Sequence, residues 1–543
     1  MYRIIFSAIT FVVIACSTHK NFDDSGTDIN STDLLKNIKI LSADSFFGRK
    51  PFTEGETRTV QFLEKKFKDL GVGPGNGDSY IQQVPLLEIT PHADSIMKVK
   101  SKKGDFTLNA MSDYVLWSEK PQKKIVLDET QIVFAGYGVI APEYGWNDYA
   151  GLDVKGKIVM VMVNDPGFWN NDTTLFKGRT MTYYGRWTYK FEEAARQGAR
   201  GCLVIHRTSA AGYPFTVVQN GHNSGRLRPD DRTSAEPYCD VTGWVTDSTA
   251  IRLLNAAGYG ESLFDEANKK GFKSKPLNLH VSTSMEVKWK YNLSANVIAK
   301  VTGTKRPDEV IIYTAHWDHL GIGKPDETGD SIYNGALDNA TGTAGLLELA
   351  KAFQQSAIKP ERSVVFLAVT AEEQGLLGSQ YYTEHPVYPV QKTVASINMD
   401  VLNTYGPTKD LVIVGKGQSE LEDYLSEVVK KKGGYLVPEG SPETGGYFRS
   451  DHFNFAKVGI PALYQGSGFD VVDKGKDYGN KMRSEFTAKH YHRPSDEVNP
   501  AWDLSGAIND LQSLYQVGKK IAMEERWPKW KEGSEFKAIR EKE

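Results

Sequence analysis

The sequence predicts an α/β protein whose central strands are buried on both faces. Three apolar runs, each closing on acids or a histidine, carry that prediction. They are Val310-Ile311-Ile312-Tyr313-Thr314, Ser363-Val364-Val365-Phe366-Leu367-Ala368-Val369-Thr370 and Thr393-Val394-Ala395-Ser396-Ile397. Short β-branched runs separated by stretches of helical periodicity read as parallel strands buried on both faces. His316 and Asp318 follow the first run, Glu372 and Glu373 the second, and Asp400 the third. Ligand sites in open α/β sheets form at the carboxyl ends of strands. Residues far apart in the chain are therefore expected to meet in one crevice.

At the amino end, Arg3 precedes an apolar stretch, Ile4 to Ala15, that is too short to span a bilayer as a finished helix. It closes on Ala15-Cys16 and then turns polar. This resembles a bacterial lipoprotein signal, although Ile14 stands where that pattern carries a small residue. The expectation is a signal over 1–15 cleaved before Cys16, lipidation of the Cys16 thiol, and a flexible tether over 16–32. An ordinary secretory signal with an incidental Cys16 is the alternative. Either reading exports the protein, and the lipidated form would sit in the cell envelope, anchored to the outer membrane.

Residues 34–84 are helix-rich, with Leu35, Ile38 and Leu41, then Val60, Leu63, Phe67 and Leu70, at helical spacing. A β-rich texture runs over 125–285, with strands such as Ile158-Val159-Met160-Val161-Met162 and no acid–histidine cluster. The α/β texture then resumes. The domain expectation is a discontinuous main unit over 33–124 and 286–543, interrupted by an inserted unit over 125–285.

Composition narrows the field. With 543 residues the chain can hold two or three domains, and a net charge of -3 gives no electrostatic case for nucleic acid. Three cysteines, Cys16, Cys202 and Cys239, exclude a disulfide framework and a cysteine-held zinc. A Cys202–Cys239 bridge and two buried thiols both remain open.

His316, Asp338, Glu373, Asp400 and His492 offer nitrogen and carboxylate oxygen without sulfur, which suits Zn²⁺ and similar ions. Five protein ligands exceed the three of one open catalytic zinc and fit two ions if one carboxylate bridges. Asp338, in a tight turn before a helix, is the natural bridge. The adjacent Glu372 and Glu373 cannot point the same way from an extended strand end, so one can bind metal while the other serves as general base. Asp318 is placed to orient His316. His319 is read as a loop support.

Taken in order, these motifs resemble the M28 family of zinc metallopeptidases, over 41 to about 523. The opening Leu41-Ser42-Ala43-Asp44-Ser45-Phe46-Phe47-Gly48-Arg49 is included. The resemblance implies a three-layer α/β/α peptidase domain on a mixed sheet, with two Zn²⁺. His316 and Asp400 would hold one ion, Glu373 and His492 the other, and Asp338 would bridge them, with Glu372 as base and Asp318 as orienter. The 125–285 segment resembles a protease-associated (PA) domain. The stretch from Tyr447 to Phe455 resembles the family's specificity loop, which makes Tyr447, Arg449, Ser450 and Asp451 candidate substrate contacts. Arg449 could meet a substrate carboxylate or a neighbouring acid. The aromatic and basic run from Arg179 to Lys190 either faces the cleft or packs within its own domain.

The expected activity is release of amino-terminal residues from peptides with a free N-terminus. A carboxypeptidase or dipeptidase, a one-metal glutaminyl cyclase, and a non-catalytic PA-domain binding protein are the alternatives.

Overall fold

The structure is a computed structural model that describes residues 29–230, 232 and 237–542. The expected signal, Cys16 and most of the 16–32 tether lie outside the described residues. Among the described residues, no helix is long and apolar enough to cross a membrane.

The three apolar runs are neighbouring strands, as their composition predicts. Arg306–His316 lies parallel between Arg362–Val369 and Thr393–Asn398, and Ala462–Gly466 continues the sheet in parallel beyond Thr393–Asn398. The strand Asp410–Ile413 pairs antiparallel with Ala462–Gly466 and parallel with Tyr435–Pro438. On the other side, the end of Lys275–Val301 pairs antiparallel with Arg362–Val369, and Ile81–Ala93 pairs antiparallel with Lys275–Val301. The sheet is mixed, as expected.

Both faces are covered. Ile311, Tyr313, Ala315, Val364, Phe366 and Ala368 point into one core, while Val310, Ile312, Val365, Leu367 and Val369 point into another. This strict alternation is the strand period of two, and it explains why these runs carry no polar face. Each of the Val, Ile, Leu and Phe side chains among them, fully buried, contributes roughly 1.5–3 kcal/mol. The helices Thr341–Gln355 and Ser505–Met523 cover the first face. The former is buried from Thr341 to Phe353, so its residues are small or apolar nearly all round. A Cβ at Gly518 would fall 1.8 Å from the Tyr313 hydroxyl, so only glycine lets that helix approach the strand so closely. Leu377–Glu384 and His452–Lys457 cover the second face.

A second unit has its own cores. Lys124–Phe134, Ile158–Met162, Gly201–His206 and Val241–Thr246 are parallel neighbours, closed by Tyr114–Trp117 running antiparallel. Ile96–Lys100 and Phe106–Asn109 join through the first half of Lys275–Val301. The expected boundary at 125 is therefore too late, because Met97, Val99, Leu108, Tyr114 and Leu116 share one core with Ile132, Ile158 and Leu203. The boundary at 286 falls inside a single strand. Lys275–Val301 serves the second unit with its first half and the main sheet with its last residues. With Ile81–Ala93 it forms a two-stranded ribbon that links the units. Cys202 and Cys239 are free, buried thiols.

Candidate metal centre

The five expected ligands converge at the carboxyl end of the main sheet. His316 ends its strand, and its Nε2 lies 3.4 Å from Asp338 Oδ1 and 3.2 Å from Asp400 Oδ1. His492 Nε2 lies 3.3 Å from the other Asp338 oxygen and 3.1 Å from Glu373 Oε2. Asp338 is thus shared by two overlapping donor sets, one on each of its oxygens. His316, Asp338 and Asp400 all offer donor atoms within 4.8 Å of one another, as do His319, Asp338 and Glu373. His319 Nδ1 pairs with Glu373 Oε1 at 2.6 Å, a hydrogen-bond distance. Glu372 Oε2 stands at the edge, 4.0 Å from His316 Nε2.

Electrostatics among these protein groups follow from burial and pairing. Burial pushes the Glu372 carboxyl well up, with the Asp400, Glu373 and Asp451 charges adding to it and only His316 opposing. Burial would also raise Asp338, but hydrogen bonds from His316 and His492 outweigh it and hold that carboxylate well below its ordinary range. Glu373 is brought down to about 2, where His319 and His492 outweigh burial and the Asp338 charge. The two glutamates of one dipeptide are thereby driven in opposite directions, which is how adjacent carboxyls acquire separate acid–base roles.

The loops that carry these groups are tightly held. Asp318 does more than face His316. Its carboxylate is 3.8 Å from His316 Nδ1, while its backbone oxygen is nearer, at 3.2 Å. The same carboxylate accepts the N–H groups of Glu372 at 3.0 Å and Glu373 at 3.4 Å, so it fixes the dipeptide as well as the imidazole. Ala371, Val401 and His492 take positive φ of 52°, 65° and 56°. Non-glycine residues adopt such backbone only where their surroundings impose it.

Three supports lie outside the expected set. Asp496 accepts the N–H groups of Leu337 at 2.9 Å and Asp338 at 3.0 Å. Arg49 is buried and donates to the backbone oxygens of Leu41, Trp317, Asn334 and Gly335, tying together the turns that carry His316 and Asp338. Tyr491 stacks on His492 with ring centroids 3.9 Å apart. Asp496 and Tyr491 stand in the His492 motif and Arg49 in the opening one, so position in a motif was the available signal.

The four expected substrate contacts divide. Arg449 is exposed, with its Nη2 donating to the Thr444 oxygen at 2.8 Å. Ser450 is buried and donates to Asp400 Oδ2 at 2.8 Å. It in turn accepts from Asn398, whose oxygen accepts from Thr314. Asp451 and Tyr447 turn inward as well. Asp451 accepts from Ser379 at 2.5 Å, and the Tyr447 ring packs against His452 and Phe536. All three side chains are buried. In the 179–190 run, Tyr183 packs on Tyr189 within its own unit and on Phe453 across the seam, with centroids 5.2 and 5.0 Å apart.

Comparison with known proteins places this segment. Residues 296–515 match the model of peptidase family M28. Aminopeptidase NAALADL1 of Mus musculus is 33% identical over 206 residues, which cover 35% of this chain and 26% of that protein. Aminopeptidase YwaD of Bacillus subtilis (strain 168) is 27% identical over 374 residues, covering 66% of this chain and 62% of the relative. The chain thus spans less than two thirds of either relative. The solved aminopeptidase from Aneurinibacillus sp. strain AM-1 shares 19% identity, covers 92% of this chain and 95% of its own, and superposes with a TM-score of 0.49. The segment that is similar to peptidase family M28 contains His316, Asp338, Glu372, Glu373, Asp400 and His492, so the similarity falls on the candidate site.

Proposed function

We propose that this protein is a two-zinc exopeptidase that releases amino-terminal residues from peptides. The position of Asp338 carries the reading. Its two oxygens face two histidines, 3.4 Å from His316 and 3.3 Å from His492, and a further carboxylate stands beside each pair. That donor set, nitrogen and oxygen only, fits two zinc ions. His316 and Asp400 would hold one, Glu373 and His492 the other, and Asp338 both. Bound there, the ions would polarise a peptide carbonyl and lower the pKa of a water.

The chain's own groups supply the rest. Glu372 is the carboxyl left over from metal binding, and burial raises its affinity for a proton. It takes a proton from the attacking water and passes it to the departing amine. Asp318 holds the Glu372 backbone N–H, which keeps the base on the substrate side of the strand end. Cys16 would tether the enzyme to a membrane through lipid, a reading that rests on the sequence of the first sixteen residues.

Glu372→Gln should retain both ions yet lose turnover by about 10²–10⁴-fold. Near-normal turnover in a zinc-loaded variant would remove Glu372 from the role of base. Matched peptides with free and blocked amino termini test the direction of attack. Cleavage of the blocked peptide from its carboxyl end would establish the carboxypeptidase alternative instead.

A further inference from the structure

A cavity of about 320 Å³ lies at the seam between the second unit and the 442–449 loop. Trp117, Trp187, Trp244 and Tyr213 form aromatic walls, and three arginines enter among them: Arg186 and Arg226 from the second unit and Arg449 from the loop. Arg226 sits over the Trp117 ring at 3.7 Å. Arg186 lies over Trp187 at 5.9 Å, and its buried Nε has no hydrogen-bond partner among the described residues.

The charges here are poorly compensated. Burial brings the Arg186 guanidinium down to about 10, and the neighbouring Arg449 adds to the effect, with only the Tyr213 and Tyr183 hydroxyls opposing. Burial does the same to Arg226, which the Glu119 carboxylate opposes. Glu119 is itself raised by burial and shared with Arg228. Half-buried cations without paired anions are costly, and guanidinium groups suit a carboxylate's two oxygens.

We propose that this cavity binds a carboxylate carried on an aromatic or apolar body. Its volume is at the small end of ligand pockets, about 300–1,000 Å³, and suits a single residue-sized group. The aromatic walls would cover the body while the arginines meet the charge. One source of the carboxylate is the carboxyl end of a peptide substrate, a use that rests on the exopeptidase reading. The loop favours this source, since Arg449 is followed directly by Ser450, which holds Asp400. The other source is a free small carboxylate acting as an effector.

Three tryptophans in the walls provide a direct readout. The full-length protein is titrated with N-acetylphenylalanine and with its amide, following tryptophan fluorescence. The acid should bind at least about tenfold more tightly than the amide, which corresponds to one charge-assisted contact. Arg226→Gln should weaken the acid by a similar factor. Arg449→Gln, at an exposed position that a folded chain tolerates, should weaken it measurably while leaving amide binding unchanged. Equal binding of acid and amide, no fluorescence response to either, or wild-type affinity in both variants would overturn the proposal.

Hydrolysis then separates the sources. A higher KM for an amidated tripeptide than for its free acid assigns the site to substrate, whereas equal KM with binding retained assigns it to a free carboxylate. If no peptide is cleaved at all, the exopeptidase reading fails, and the fluorescence titration still decides the cavity.

Discussion

Asp496→Asn tests whether the Asp338 turn is held from behind. The Asp496 carboxylate accepts two backbone N–H groups, from Leu337 at 2.9 Å and from Asp338 at 3.0 Å. An asparagine of the same shape keeps one acceptor oxygen and turns an amide N–H₂ toward the second N–H. One buried donor then loses its partner, at a cost of about 1–3 kcal/mol. The turn can recover part of that cost only by shifting Asp338, and Asp338 belongs to both donor sets. Zinc affinity should therefore fall by about 10–100-fold, the range found when a group orienting a ligand is lost, and both binding steps should weaken. The assay is a zinc titration against a competing chromophoric chelator, with circular dichroism as a check on folding. The reasoning is refuted if a folded Asp496→Asn binds both ions as tightly as the wild type. It is equally refuted if only one step weakens, because then Asp338 is not shared.

Glu373→Ala provides the contrasting pattern: metal analysis of the purified variant should find one ion lost and the His316–Asp400 ion retained, whereas loss of both would contradict the division of ligands. Asp510→Asn should raise Tm in a pH-dependent way. Burial pushes the Asp510 carboxyl up to about 8, so the unfolded chain ionises from its ordinary value near about 4 while the fold resists. The aspartate's penalty is absent below pH ~4 and grows as pH rises toward ~8, so the variant's gain should follow that window, and a gain unchanged between those limits would count against it. Cys202 and Cys239 should be silent to a thiol reagent until the protein unfolds, since burial drives Cys202 well up and Cys239 to about 12; rapid labelling of the native protein would show that the core opens.

The candidate site residues were legible because a buried parallel strand has so few ways to end. His316, Glu372 and Asp400 each interrupt a run in which every other residue is apolar or small, and the sheet places those interruptions side by side. Arg49 was not legible as a support. Its partners are four backbone oxygens drawn from residues 41 to 335, and no spacing in the chain announces such a set. The start of the second unit was missed for a related reason. Tyr114–Trp117 pairs with Val241–Thr246, a contact that local texture near residue 114 cannot reveal. Tyr447 and Asp451 were placed at the substrate because their loop resembled a specificity loop. Pattern does not say which side of a loop faces in, and the apolar core around Phe448, Phe453 and Trp530 decides it.

That loop connects the two units chemically as well as by position. On its outer side it accepts the Met181 backbone N–H at Pro442 and the Asn164 side-chain amide at Glu443, so the second unit grips its backbone. At its inner end Ser450 holds Asp400, and Asn398 and Thr314 hold Ser450. The opposite anchor is the ribbon of Ile81–Ala93 and Lys275–Val301, which runs into the main sheet beside Arg362–Val369. Swinging about the ribbon would therefore strain the loop whose Ser450 holds Asp400. The arginines and tryptophans of the seam therefore occupy a fixed frame. Side chains share in that frame, since the Asn164 amide and the Tyr183 ring, packed on Phe453, bind the second unit to the segments beside the histidines and carboxylates.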